Sequence, residues 1–420
     1  MSSFNTVNQY CLDHIVDLSD TKDVIAAEDI FDDRGVLLWA RGGRVSRELQ
    51  EKLLKRKLLQ PLETTLSVDD AVSFESVVDD AMALLGTDPL LDKLAGGHGA
   101  LSMLRDMRNV TLPPSVSLLL TASRERQRKA FDHNLYAVLI SLGIGSRLKM
   151  SFADTQTLML AALLHDLGEM YINPEYLNSQ QRLSPQDWKY VAAHPLIGRM
   201  LIQELTKLPT AVGECVAIHH ERLDGSGYPN HIGRSRPNRL GAWLAVADSV
   251  AAIVARGGAG CASRVGMALR IVPEEFDRDA VSAVLNAMRD SQEQASAADT
   301  GGCIERANKA MQRIDRALAA AAAAATMTKD SFTRQSASEV ANMLGNVRKS
   351  IHATGVLDSA QLGGLIDDPH VQTEIVQVIK EVEWRLRNMA RNIYLRADKQ
   401  KDGVSLQALT GVIEALDLET

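Results

Sequence analysis

The sequence predicts a mostly α-helical protein: a helical bundle, with a small α+β module ahead of it and a helical region behind it. Three observations predict this. Aromatic residues make up only 4% of the 420 residues, while alanine and leucine are plentiful; strands are usually fed by aromatic and β-branched residues. Apolar residues recur at helical spacing through the middle and end of the chain. Strand-like alternation is confined to the first few dozen positions.

In the first stretch, residues 1–65, residues 25–31, the turn-prone Asp32-Asp33-Arg34-Gly35 and residues 36–39 read as a hairpin. Ser46 is an expected N-cap for a helix with Leu49, Leu53 and Leu54 inward and Lys52, Lys55, Arg56 and Lys57 outward, ended by Pro61. Residues 66–114 read as a helical connector punctuated by Gly96-Gly97 and Pro113-Pro114. Residues 115–292 carry three helical stripes. The first is Phe131, Leu135, Val138, Leu139 and Leu142; the second is Leu158, Ala161, Ala162 and Leu164; the third spans residues 240–254 around Asp248. Asp224-Gly225-Ser226-Gly227-Tyr228-Pro229-Asn230 is loop by composition.

Residues 293–420 have no comparable density of reactive side chains. Residues 303–325 predict an alanine-rich helix, and Ser336 with Glu339 has capping-box spacing ahead of Val340, Leu344, Val347 and Ile351. Asp368-Pro369 predicts an N-cap followed by an N1 proline. Beyond it, Ile375, Ile379, Val382, Leu386, Met389 and Ile393 step by heptad intervals, though over too short a run for a coiled coil. This predicts a helical bundle or a surface for a homodimer or signalling partner.

The charges sum to −7 with no long run of Lys or Arg, so a generic grip on a nucleic-acid polymer is excluded. A phosphate-bearing substrate would need local charge, from metal ions or a few arginines. Cys11, Cys215, Cys261 and Cys303 are scattered without a CxxC pair, which argues against a disulfide framework or thiolate zinc site. No basic segment precedes an apolar one at the N-terminus, and residues 317–325 are too short to span a bilayer. A cytoplasmic protein without a membrane partner is expected.

Six of ten histidines fall between His133 and His231. A lone histidine on a helix is more often solvated or hydrogen-bonded than a ligand; company changes that reading. His165 is followed by Asp166 at the end of an apolar helix. His219-His220-Glu221 closes another before a glycine-rich turn, and Asp248 sits in an apolar helical stretch where an unpaired carboxylate would be costly. Helices that each deliver a His or Asp to one place are how bundles build metal sites. Imidazole and carboxylate without thiolate suit Fe, Mn, Ni or Zn without selecting among them. Seven such groups suit two ions sharing a bridging carboxylate.

The string His219-His220-Glu221-Arg222-Leu223-Asp224-Gly225-Ser226-Gly227-Tyr228-Pro229 resembles the HHExxDGxGYP signature of HD-GYP domains, a branch of the HD phosphohydrolase superfamily. His133, His165-Asp166 with Gly168, His194-Pro195 and Val246-Ala247-Asp248 follow in the same order, and the resemblance covers residues 115–292. It implies an HD-type helical bundle hydrolysing the cyclic dinucleotide cyclic di-GMP at a binuclear metal centre, with iron or manganese as the ions. Carried over by position, His133, His165, Asp166 and Asp248 would hold one ion, and Asp166 would bridge to a second held by His194, His219 and His220. Gly225, Gly227, Tyr228 and Pro229 would shape the substrate wall. Glu221 and Arg222 would order the loop, and Arg222 is placed with Asp166 and Glu169 among the catalytic residues.

The chain also departs from that pattern. Glu169 stands where the family usually has lysine, and reversing that charge beside a dianionic substrate should weaken binding or require a compensating cation. Lys129 occupies the position of a glutamate found in three-metal members, so two ions are expected rather than three. After Asp248 the usual phosphate grips are replaced by Ala251 and by Arg256-Gly257-Gly258, where Arg256 substitutes only if the helix shifts by a residue. Two readings of different class follow: a working phosphodiesterase giving pGpG and further GMP, or a weak or inactive metal- or nucleotide-binding adaptor. A general HD nucleotidase would leave the GYP string unexplained. His14, His98, His352 and His370 are expected at the surface, and His231 as a solvated loop residue.

Overall fold

The computed structural model describes residues 3–177, 183–233, 238–258, 260–289, 303–353, 369–400 and 403–417. Helix α1 (Gln9–Ser19) begins at Asn8, whose side chain accepts the Cys11 N–H. Strand β1 (Val24–Ala26) is followed by β2 (Ile30–Phe31) and β3 (Leu37–Trp39), then α2 (Arg47–Leu53), α3 (Leu62–Thr65) and β4 (Leu66–Val68). The single hairpin expected over residues 25–39 is divided. β2 pairs with β3 around a turn closed by the Asp32 carboxylate, which accepts the N–H groups of Arg34 and Val36 at 3.0 and 2.8 Å. β1 instead pairs antiparallel with β4, Val24 opposite Val68. Ser46 caps α2 as expected, but Leu54 lies one residue past the helix and is 40% exposed. The helix ends there, and Pro61 instead leads into α3.

Helices α4 (Phe74–Thr87), α5 (Pro89–Ala95), α6 (Gly97–Asp106), α7 (Pro114–Arg126), α8 (Arg128–Arg147) and α9 (Phe152–Leu164) lead to a 3-10 turn over Leu167–Tyr171. There follow α10 (Pro174–Leu177), α11 (Pro185–Val191), α12 (His194–Leu205), α13 (Thr210–Ile218), α14 (Arg239–Val254), α15 (Cys261–Ala268) and α16 (Arg278–Ala287). One core runs from Phe4 to Met288 and takes in the α8 and α9 stripes. The N-terminal residues reach the 3-10 turn directly: Asn8 Nδ2 donates to the Tyr171 carbonyl at 3.2 Å, and the Tyr171 hydroxyl donates to the buried Glu63 carboxylate. His14, expected at the surface, is buried beside Gln127 because α1 packs against α7. His352 is exposed, and the side chains of His98 and His370 lie outside the described residues.

Helices α17 (Cys303–Met327), α18 (Ser331–Ala353), α19 (Pro369–Asp398) and α20 (Val404–Asp417) build a second core, which also takes in Ile271 and Val272. All six residues of the heptad seam are buried, satisfied by neighbouring helices of the same chain. Ser336 and Glu339 do not cap: α18 begins at Ser331, and Asp330 accepts the Thr333 N–H at 2.6 Å. Ser336 is buried mid-helix, and Glu339 pairs outward with Arg396 at 2.7 Å. Pro369 is the first residue of α19, while Asp368 lies outside the described residues. Among the described residues no helix is long and apolar enough to cross a membrane.

Candidate metal centre

Helix ends deliver most of the centre. His165 and Asp166 follow the last turn of α9, His194 opens α12, and His219 and His220 follow α13; His133 and Asp248 project from within α8 and α14. Gly168 permits the approach, since a Cβ there would lie 2.2 Å from the His194 carbonyl oxygen. All seven sequence-predicted ligands converge. Asp166 Oδ2 is 3.1 Å from His165 Nε2 and 3.8 Å from His133 Nε2, while its Oδ1 is 3.4 Å from His194 Nε2 and 3.7 Å from His219 Nε2. Each oxygen of one carboxylate thus faces a separate histidine pair. Asp248 Oδ1 is 3.0 Å from His133 Nε2 and 3.6 Å from His165 Nε2, and its Oδ2 is 3.6 Å from His220 Nδ1.

The donor set fits divalent metal. His165, His194 and His219 each direct Nδ1 at a backbone carbonyl, of Ala162, Val191 and Val216, at 2.8, 2.8 and 2.6 Å. A carbonyl only accepts, so Nδ1 carries a proton in all three rings and Nε2 is the nitrogen aimed at the centre. Against burial, the Asp166 and Asp248 carboxylates raise the His165 imidazole well above its usual range. His194 Nε2 and His219 Nε2 are 3.1 Å apart. Two buried lone pairs at that separation repel unless a cation lies between them. Burial pushes the His194 imidazole down to about 4, the neutral state that ligation requires. Burial drives the Asp166 and Asp248 carboxyls up. The neighbouring histidines outweigh it and hold both well below the usual carboxylate range. Glu169 adds a third carboxyl beside them, pushed well up by burial and then by the charge of Asp166.

The following loop is pinned by its own polar groups. The Glu221 carboxylate accepts the N–H groups of Asn230, His231 and Ile232 at 2.6, 3.1 and 3.1 Å. Gly225 takes φ +83°, and a Cβ on Gly227 would lie 2.4 Å from both Arg222 N and His220 O. Tyr228 stacks on His220 with ring centroids 4.6 Å apart and meets Trp188 edge-on; Pro229 follows it, its carbonyl 2.7 Å from Lys399 Nζ. Arg222 is buried, donating to the carbonyls of His219 and Glu221 at 3.2 and 3.0 Å and to Ser249 Oγ at 3.3 Å. Its hydrogen bonds secure the backbone that carries His219. Arg256 lies just past α14, its Nε donating to the Ala252 carbonyl at 2.7 Å.

His231 is not the solvated residue expected. Both ring nitrogens are buried without a hydrogen-bond partner among the described residues, and the charged groups facing it are Arg396, Lys399 and Glu221. Burial, reinforced by the two cations, pushes the imidazole down to about 3. Unfolded, the ring titrates near 6.5. Between these values the unfolded chain binds the extra proton, so stability is fully present above about pH 6.5 and is lost as pH falls towards 3. His231→Gln is therefore expected to flatten the fall in melting temperature from pH 7 to pH 4; parallel curves for variant and wild type would contradict this.

A contribution that sequence reasoning missed comes from α19. Asn392 Nδ2 donates to the Ser226 carbonyl at 2.7 Å, and Arg396 Nη2 reaches the Gly225 carbonyl at 3.4 Å. A cavity of about 810 Å³ opens between the centre and this helix, with His220, Asp248 and Tyr228 on one side and Lys380, Trp384 and Arg387 on the other. The available signal was the 4-3-4 spacing of Lys380, Trp384, Arg387 and Arg391, parallel to the apolar seam.

The model of the HD domain family matches residues 118–279. A cyclic di-GMP phosphodiesterase of Pseudomonas aeruginosa is 26% identical over 140 residues, 33% of this chain and 34% of that protein. A 3'3'-cGAMP-specific phosphodiesterase of Vibrio cholerae is 30% identical over 133 residues, 32% of this chain and 29% of that protein. A cyclic di-GMP phosphodiesterase of Thermotoga maritima is 30% identical over 142 residues, 34% of this chain and 39% of that protein. A solved HDG"Y"P protein from Bdellovibrio bacteriovorus is similar with a TM-score of 0.35 and 17% identity, over 63% of this chain and 95% of that one. The chain spans about a third of the length of the curated relatives it matches. With the HD match ending beyond Asp248 and the HHExxDGxGYP string bordering the His/Asp cluster, residues 118–279 of this chain carry an HD domain.

Proposed function

We propose that the chain is a metal-dependent phosphodiesterase. It would hydrolyse cyclic di-GMP to pGpG, and to GMP where the second phosphodiester is also cut. The observation that carries the reading is the Asp166 carboxylate, whose two oxygens face separate histidine pairs, in a cluster whose His220 and Asp248 line a cavity large enough for a cyclic dinucleotide. His133, His165, Asp166 and Asp248 are the proposed ligands of one ion, and Asp166, His194, His219 and His220 of another, with iron or manganese as the candidates. Bound there, divalent ions supply a water of lowered pKa and positive charge for the phosphoryl oxygens.

The protein's own part is positioning. The carbonyls of Ala162, Val191 and Val216 fix three imidazoles in the ligating tautomer, and Arg222 holds the backbone beside His219. Tyr228 on His220, with Trp188 behind it, forms a flat wall suited to a base. Gly225 and Gly227 let the loop lie close beneath that wall. The buried thiols of Cys11, Cys215 and Cys261, none of them in a disulfide, suit a reducing compartment and support a cytoplasmic setting. Because the heptad seam is buried within the chain, a partner or second copy using residues 293–420 would need another face.

The alternative of a metal- or nucleotide-binding adaptor is favoured by Glu169, which removes the positive charge that the family's usual lysine supplies at that position. One experiment separates the two. The protein, purified anaerobically and loaded with Mn or Fe, is incubated with cyclic di-GMP or 3'3'-cGAMP and the products are followed by chromatography beside Asp166→Ala. Linear dinucleotide or mononucleotide that disappears in the variant supports the enzyme. No turnover of either nucleotide with either metal overturns it in favour of the adaptor.

A further inference from the structure

We propose that the polar face of α19, outside the HD match, is the wall that binds the phosphates and a base of the cyclic dinucleotide; this rests on the substrate reading above. Lys380, Trp384, Arg387 and Arg391 recur at intervals of 4, 3 and 4, which places them on one helix face. The opposite face, with Val382, Leu386 and Ile393, is buried in the second core, so the polar face is held against the cavity.

Two charges of that wall are uncommitted. Lys380 and Arg387 make no hydrogen bond or ion pair among the described residues. The carboxylates around them are already engaged: Glu275 and Glu381 with Arg385 at 2.8 Å each, Asp224 with Ser226, and Asp248 in the metal centre. Two unpaired cations therefore face a cavity that His220 and Asp248 of the His/Asp cluster also line, in a chain of net charge −7. A ligand with two phosphodiester charges answers this arrangement. Between the cations, Trp384 keeps 45% of its surface exposed on the cavity wall, as a stacking platform for a nucleobase would. Across the cavity, Trp188 carries the Arg391 guanidinium 4.6 Å above its ring. The positive charge displaced by Glu169 is thus supplied from the tail.

The test uses the full-length, metal-loaded chain and reads binding as well as turnover. Stopped-flow quenching of tryptophan fluorescence by cyclic di-GMP, within the first turnover, gives Kd at two salt concentrations. Metal content and melting temperature are followed alongside. Lys380→Gln with Arg387→Gln is expected to raise Kd at least about tenfold and to weaken its salt dependence, with metal content unchanged. Lys380→Arg with Arg387→Lys is expected to retain most of the affinity, and Trp384→Phe to bind more tightly than Trp384→Ala. A neutralised variant binding within about twofold of wild type overturns the proposal, as does a charge-preserving variant that loses as much as the neutralised one. A wild type that binds neither cyclic di-GMP nor 3'3'-cGAMP overturns the substrate reading itself, and this proposal with it.

Discussion

If the proposed reaction and two-ion centre hold, Asp166→Ala is expected to lower cyclic di-GMP turnover by about 10³-fold or more and to reduce bound metal from the proposed two ions per chain to fewer than one. The expectation comes from the division of labour within one carboxylate: Oδ2 serves His165 and His133, Oδ1 serves His194 and His219. Removing it takes a ligand from both proposed sites and leaves bare imidazole nitrogens facing one another in a buried place. Asp166→Asn tests the same point without a change of volume, since its amide NH₂ would direct donors at one pair while only one oxygen remained for the other. Metal analysis of the purified variants, followed by single-turnover assays, decides the matter. Two ions and wild-type turnover in Asp166→Ala would remove Asp166 from the bridging role.

Arg385→Ala should produce the largest loss of stability. Its buried guanidinium places Nε and Nη2 at 3.1 and 2.8 Å from Glu275 Oε2, Nη1 at 2.8 Å from Glu381, and Nη2 at 2.7 Å from the Ala268 carbonyl. Burial pushes the Glu275 carboxyl up, and Arg385 then Arg222 pull against it. With Arg385 truncated, Glu275 keeps, among the described residues, only Arg222 Nε at 3.6 Å as a cationic partner. Stranding a buried charge in this way costs about 3–5 kcal/mol. Guanidinium titration of the full chain checks the number, and a loss under about 1 kcal/mol would show that water reaches the pair. Arg385→Met combined with Glu275→Leu should recover much of the loss, because removing both charges also removes the need to solvate either.

The residues of the His/Asp cluster were legible because each lies at a short, distinctive string on or beside an apolar helix, and helix ends are where a sequence announces itself most clearly. Other features were not. Ser336 and Glu339 match a capping box by spacing alone, while the working cap is Asp330 with Thr333, the Asp ten residues before the Val340 that opens the apolar stripe. The turn at Asp32 was readable, but the partner of β1 was not, because pairing with Leu66–Val68 depends on how intervening residues pack. The α19 face lay hidden for a related reason. Lys380, Trp384, Arg387 and Arg391 look like an ordinary solvated stripe, and only the tertiary arrangement turns that stripe towards His220 and Asp248.

The cavity has a further consequence in time. Its floor is complete in sequence at Asp248, whereas Lys380 is added 132 positions later. At roughly 5–20 residues per second, a ribosome needs on the order of ten seconds to cover that distance. During that interval a nascent chain can gather its histidines before the facing wall exists. The order of synthesis thus separates assembly of the centre from closure of the chamber around it.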